Sequence, residues 1–205
     1  NTDLSIPNLT LGTMTFGGQT DEKVSYEIMD YAYENGLTFF DTANIYNAGN
    51  SELVVGQWLR GRREKITLAS KVGYPMGGSL SGVSLSRSSI ETELDASLRR
   101  LNTDYLDFYY MHAPDYSTPI EESLEIMSEL IESGKVRYLG ISNFAAWQIS
   151  DLLAACEKHG FVKPIITQNV YNAVTRGIES ELMPFLESHP MALTIYNPIA
   201  AGLLT

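Results

Sequence analysis

The chain has 205 residues, 44% of them hydrophobic, which is enough for one domain with a real core and argues against disorder. A formal net charge of −11 repels phosphate backbones and argues against general nucleic-acid binding. The single cysteine, Cys156, excludes an internal disulfide, apolar runs such as Leu152–Cys156 and Met191–Leu193 are too short to span a bilayer, and no charged-then-apolar leader opens the sequence, so a cytoplasmic protein acting away from membranes is expected.

Short β-like runs alternate with helical patterns. A first strand is expected over Asn8–Thr13. It is followed by a helical stripe of Val24, Ile28 and Ala32 that stops before Gly36. The run Leu37–Asp41 reads as the second strand and Ile66–Lys71 as the third. Between the third strand and the next helix lies Gly73–Ser86, rich in Gly and Ser, a length that suits either a lid at an active-site mouth or a tether. Ser88 and Glu91 suggest a capping box, and Ile90, Leu94, Ser97 or Leu98, and Leu101 continue at helical spacing. Tyr105–His112 is the fourth strand. Thr118, Pro119 and Glu121 suggest a second capping box, opening a helix with Ile120, Leu124, Met127 and Ile131 on one face and Gly134 at its stop. Val136–Ser142 is the fifth strand. Ile149, Leu152, Leu153 and Cys156 form a stripe that ends at Gly160. Pro164–Gln168 and Ala192–Tyr196 complete seven strands.

Successive β–α units without a low-complexity linker imply a parallel sheet. An open doubly wound sheet and a closed barrel both satisfy that pattern. Seven units in succession favour the barrel, as do the polar residues that end nearly every strand, because carboxyl strand ends of a barrel converge on one mouth. The fold class expected is therefore an α/β (β/α)8 TIM barrel. A complete barrel has eight strands in about 250 residues. Here Thr205 follows the seventh strand, so residues 1–205 are expected to form a single barrel domain lacking its C-terminal part.

Asp41, Lys71 and His112 end or follow successive strands, and Tyr46 lies five residues past Asp41. A phenol with a pKa near 10 is a poor acid at neutral pH. A neighbouring ammonium favours the phenolate and lowers that value. Asp41 is placed to orient Lys71, and His112 to donate a hydrogen bond to a substrate oxygen. Such a group gives a proton to an oxygen that gains negative charge. Each residue taken singly has an ordinary packing or turn reading; their joint occurrence at successive strand ends is what points to chemistry.

The segments LTLGTMTFGG, FFDTANIY with its trailing GNSE, SIETELDASLRRLNTDYLDFYYMH, VRYLGISNF, PIITQNVYN and IYNPIAAGLLT resemble, in order and over nearly the whole chain, the aldo-keto reductase superfamily. Asn47–Ala48 in place of a commoner single Gly, together with TFGGQTDE, resembles the branch that holds potassium-channel β subunits and related microbial reductases. The resemblance implies reduction of aldehyde or ketone carbonyls by hydride transfer from NADPH, with Tyr46 as general acid, Lys71 and Asp41 tuning it, and His112 orienting the carbonyl. It also implies a nicotinamide carboxamide held by Ser142, Asn143 and Gln168, with Tyr196 against the ring. Gly12, Thr13 and Met14 would line the nicotinamide-ribose end, Gln19 would touch the cofactor, and the Asn197, Pro198, Ile199, Ala200 and Gly202 turn would wrap the pyrophosphate. The partner implied is a small carbonyl compound, with no metal. A cofactor-sensing regulatory role of the channel β-subunit type, or an inactive incomplete fragment, are the alternatives. Whether the chain is a monomer or a homo-oligomer is left open by its sequence, as are the substrate and the choice between NADPH and NADH.

Overall fold

A computed structural model describes residues 6–76 and 82–205. Seven strands form one sheet: β1 (Leu11–Gly12), β2 (Phe39–Asp41), β3 (Thr67–Val72), β4 (Leu106–Met111), β5 (Val136–Ser142), β6 (Ile166–Val170) and β7 (Ala192–Tyr196). Each pairs in parallel with the next, so spatial order is chain order. The sheet curls. The Gln168 amide on β6 donates to the Asp41 carboxylate on β2 at 3.1 Å, across three intervening strands, which a flat sheet spaced at about 4.8 Å per strand forbids. This is the (β/α)8 barrel architecture expected from the sequence, with the chain ending after the seventh strand.

Curling divides each strand into an inner and an outer face, and so divides the core. Phe39, Ala69, Phe108, Tyr110 and Ile166 pack inside the curl. A larger cluster lies between the sheet's outer face and the helices, built on residues such as Met29, Val55, Leu68, Ile90, Tyr109, Met127, Leu139 and Ile149. Strand β4, at the centre of the sheet, is buried throughout, and β7 has no fully buried residue.

The helices are α1 (Glu22–Glu34), α2 (Asn50–Trp58), α3 (Arg87–Leu101), α4 (Ile120–Glu132), α5 (Ala146–His159) and α6 (Leu182–Ser188). Three sequence expectations are corrected. Helix α1 buries Ser25, Met29 and Ala32, and leaves Val24 and Ile28 partly in solvent; a small serine faces the core because its hydroxyl donates back to Asp21 O at 2.7 Å, which removes the cost of burying it. Helix α3 is capped by Ser86, not Ser88, the Ser86 hydroxyl accepting from Ser89 N. Thr118 does not cap α4, because its hydroxyl donates to Asp115 Oδ2 at 2.6 Å. Helices α2 and α6 were not foreseen: α2 is short, buries the polar Ser51 and Glu52 and exposes the apolar Leu53, so its sequence lacks a clean apolar stripe.

Of the long Gly73–Ser86 connection, residues 77–81 lie outside the described residues. The flanking parts are tied down: Ser84 N donates to Gly73 O at 2.8 Å and Leu85 N to Asp115 Oδ2 at 2.8 Å. Among the described residues no helix is long and apolar enough to cross a membrane.

Candidate active site

The carboxyl ends of β2, β3 and β4 bring Asp41, Lys71 and His112 to one mouth. The parallel register does this directly, setting Asp41 beside Ala69 and Lys71 beside Tyr110. Tyr46 reaches the same place through a tight turn, Tyr46–Gly49, in which Asn47 (φ 48°), Ala48 (φ 54°) and Gly49 (φ 88°) are all left-handed. That conformation is costly for alanine. Asn47 offsets it, since its side-chain amide donates to Met14 O and Phe16 O, both at 2.8 Å, clamping the loop after β1. The Asn47–Ala48 departure noted in the sequence is thus an anchored turn.

Lys71 is fully buried. Its ammonium bonds the Asp41 carboxylate, the Thr42 carbonyl at 2.8 Å and the Tyr46 phenol oxygen at 3.2 Å. Burial by itself would depress the ammonium's pKa; Asp41, then Tyr46, more than offset that and hold it above its ordinary value. With the Tyr46 oxygen accepting from Lys71, its hydroxyl hydrogen is free to point elsewhere. Burial raises the phenol's pKa and Asp41 adds to the rise, while Lys71 pulls it down. The net direction is upward, which corrects the expectation of a lowered value: withdrawal from water outweighs the cation beside it. The phenol is therefore protonated at neutral pH and can act as a proton donor.

The His112 ring stands edge-on to Tyr46, with centroids 6.0 Å apart, and to Tyr74, at 4.9 Å. Its pKa is pushed down to about 3, chiefly by burial and further by Lys71, so the imidazole is neutral. Its buried Nδ1 has no hydrogen-bond partner among the described residues.

The ends of β5, β6 and β7 supply a second group. The Ser142 hydroxyl donates to Gln168 O at 2.9 Å, and Asn143, itself left-handed at φ 64°, donates through its amide to His112 O at 2.9 Å. The Tyr196 hydroxyl donates to Asn143 Oδ1 at 2.9 Å. Gln168 joins the two groups through Asp41. Thr13 is buried and bonded to Asp41 O, whereas Gly12, Met14 and Gln19 are exposed. In the Asn197–Gly202 turn the Ala200, Ala201 and Gly202 amides bond within the turn, to Asn197 O, Asn197 Oδ1 and Ile199 O. Asn172 holds this turn by donating to Asn197 O at 3.0 Å.

Four participants escaped sequence reasoning. Asn44 donates to Glu93 Oε2 at 3.0 Å and has a buried Oδ1 without a partner among the described residues. Asn172 has no neighbour in sequence that hints at its contact. Ser51 and Glu52 stand in the GNSE segment, where the resemblance gave them no role. Among the described residues no cluster of three or more His, Cys, Asp or Glu is placed to hold a metal ion.

Comparison with known proteins bears on the chain and its fold. The sequence matches the Aldo/keto reductase family over residues 8–205. It is 41% identical over 214 residues to the uncharacterized oxidoreductase YrpG of Bacillus subtilis (strain 168), covering 99% of this chain and 66% of that one. It is 37% identical over 198 residues to human aflatoxin B1 aldehyde reductase member 2, covering 95% of this chain and 54% of the relative. The fold superposes with a TM-score of 0.87 on the holo form of the aldo-keto reductase AKR11C1 from Bacillus halodurans, at 34% identity, covering all of this chain and 66% of the other. The chain thus spans 54–66% of the length of these proteins.

Proposed function

The chain belongs to the aldo/keto reductase family, and we propose that it is an NADPH-dependent oxidoreductase that reduces aldehyde or ketone carbonyls to alcohols with Tyr46 as the general acid. The observation that carries this reading is the contact of the buried Lys71 ammonium with both the Asp41 carboxylate and the Tyr46 phenol.

Members of the family use nicotinamide cofactors. The residues at the mouth fit the nicotinamide end of such a group. Ser142, Asn143 and Gln168 carry a hydroxyl and two amides on adjacent strand ends, a donor and acceptor set suited to a carboxamide. Tyr196, 39% exposed, offers a ring for stacking. The Asn197–Gly202 turn suits a pyrophosphate less directly, since its amides must first leave their internal partners. When bound, the reduced cofactor supplies a hydride.

The protein's own groups manage charge and protons. A carbonyl oxygen that gains negative charge needs donors placed in advance in a site shielded from water. Tyr46 donates its phenolic proton to that oxygen. The phenolate left behind is stabilised by the Lys71 ammonium already bonded to its oxygen, and Asp41 keeps that ammonium charged and aimed. His112, neutral because its pKa lies near 3, offers an N–H to the same oxygen and does not compete as an acid.

The test is NADPH oxidation with a panel of reactive aldehydes, for wild type and Tyr46→Phe. Turnover is expected to fall about 10²–10⁴-fold in the Phe variant, with cofactor affinity retained. An active Phe variant removes Tyr46 from the acid role. Cofactor binding without turnover in the wild type replaces the reductase reading with a cofactor-sensing one.

A further inference from the structure

Beneath the proposed proton donor lies a buried polar layer that takes no part in the chemistry described above. It is made by the first turn of α2 against the ends of β1, β2 and β3. The Ser51 hydroxyl is placed to donate to Thr13 O at 2.8 Å and stands at hydrogen-bond distance from the Thr13 and Thr42 hydroxyls, at 2.8 and 3.0 Å. Thr42 is also the residue whose carbonyl accepts from Lys71. One position further on, Glu52 is fully buried. Its Oε1 accepts from the Ser70 hydroxyl at 2.5 Å and its Oε2 from Arg100 Nε at 2.6 Å. Ser70 immediately precedes Lys71. The first turn of α2 therefore grips the chain on both sides of the ammonium: at Thr42, which Lys71 bonds, and at Ser70, the residue before Lys71 on β3.

The surroundings leave this grip little freedom. Arg100 lies so close to the Tyr46–Gly49 turn that a Cβ at Gly49 would come within 2.9 Å of its Cδ. A Cβ at Gly56 would come within 2.3 Å of Arg100 O, so α2 and α3 are in backbone contact. Burying a carboxylate is costly, and a buried ion pair is often no more stabilising than apolar residues of the same volume. Fold stability alone therefore does not account for a charge at position 52. Direction does, because a carboxylate with two fixed donors holds both in one geometry.

We propose that Glu52 is a positioning residue for the Tyr46–Lys71 pair: through Ser70 it fixes the strand end that carries Lys71, and through Arg100 it fixes the turn that carries Tyr46. The inference rests on the roles proposed above for those two residues.

Two variants test it. Glu52→Gln keeps the shape and removes the charge; Ser70→Ala removes only the link to β3. The first readout is the titration midpoint of Tyr46, followed by NMR on protein labelled with 13C at the tyrosine Cζ, with Tyr46→Phe to assign the signal. The second is the single-turnover rate of NADPH oxidation. A loosened Lys71 acts less on the phenol, so in both variants the midpoint should move to higher pH, by about one pH unit. The single-turnover rate should fall about tenfold or more, with cofactor affinity unchanged. Loss of negative charge acting only through space would move the midpoint of Glu52→Gln to lower pH, and that result overturns the proposal. So does a lower melting temperature with midpoint and rate both unchanged, which makes Glu52 purely structural. Should Glu52→Gln fail to fold, Ser70→Ala decides by the same readouts. A wild type without turnover, or an active Tyr46→Phe, defeats the reductase reading instead, and the midpoints still report whether Glu52 sets the Tyr46–Lys71 geometry.

Discussion

The two ends of the central strand β4 carry buried polar groups of opposite character. At its amino end Asp107 is saturated. Its Oδ2 accepts from Arg63 Nη2 at 2.8 Å and Leu68 N at 2.9 Å, and its Oδ1 from Arg137 Nη1 at 2.7 Å. Arg63 spends its other donors on Thr103, Ile66 O and Tyr105 O. The Tyr105 ring lies against both guanidiniums, at 3.8 and 4.3 Å. At the carboxyl end His112 has a buried nitrogen without a partner among the described residues, a pKa driven down to about 3 and a lysine ammonium nearby. One end is an ion network in which two guanidiniums share one carboxylate and the remaining donors are bonded; the other keeps groups without a partner among the described residues. Barrels divide labour in this way, stability at the amino face and chemistry at the carboxyl face.

The largest expected effect strikes the carboxyl end. Lys71→Met should lower turnover about 10²–10⁴-fold, because the phenolate loses its counter-charge. Urea unfolding should also show a loss of about 3–5 kcal/mol from an Asp41 carboxylate left buried beside Gln168 alone; unchanged steady-state kinetics would remove Lys71 from the mechanism. The mirror experiment at the amino end is Asp107→Ala. It should cost about 3–5 kcal/mol by the same reasoning, with kcat per folded molecule intact. A folded Asp107→Ala protein with depressed kcat would break the comparison.

A pH series sharpens it. Unfolded, His112 titrates near 6.5, but folded it resists protonation down to about 3. Its contribution to stability is therefore complete above pH 6.5 and is lost as pH falls from about 6.5 toward 3. His112→Gln should flatten that part of the stability curve, measured by urea midpoints at successive pH values; an unaltered slope would show that the imidazole titrates alike in both states. The smallest effect is expected at β7. Tyr196→Ala should weaken NADPH binding by about 1 kcal/mol, read by fluorescence titration, and leave the melting temperature nearly unchanged because the side chain is 39% exposed. Undiminished affinity would take Tyr196 out of the cofactor site.

Much of this was legible in the residue pattern. Strands with β-branched and aromatic runs announced themselves, and polar residues at their carboxyl ends marked the mouth, because a parallel barrel sends all those ends one way. The helix stripes of α4 and α5 were legible too, through Leu124, Met127, Ile149 and Leu152. Local rules misjudged other places. Ser88 competes with Ser86 for one helix start, and the outcome depends on where α4 presents Glu122, whose carboxylate accepts from Arg87 N at 2.8 Å. Helix α2 was missed because its buried face carries the polar Ser51 and Glu52 while the apolar Leu53 is exposed, so its apolar residues keep no single period.

By itself the sequence determined the order of β–α units, the parallel sheet they force and the candidate residues Asp41, Tyr46, Lys71 and His112, since periodicity and strand-end chemistry are local properties. Tertiary structure alone decided the rest. Curling brought Gln168 to Asp41 over 127 positions of chain. Burial overrode the cation and raised the Tyr46 pKa. Close approach of α3 to α2 locked Arg100 onto Glu52. Desolvation, long-range pairing and backbone contact all depend on what surrounds a residue in space, and its neighbours along the chain do not record that.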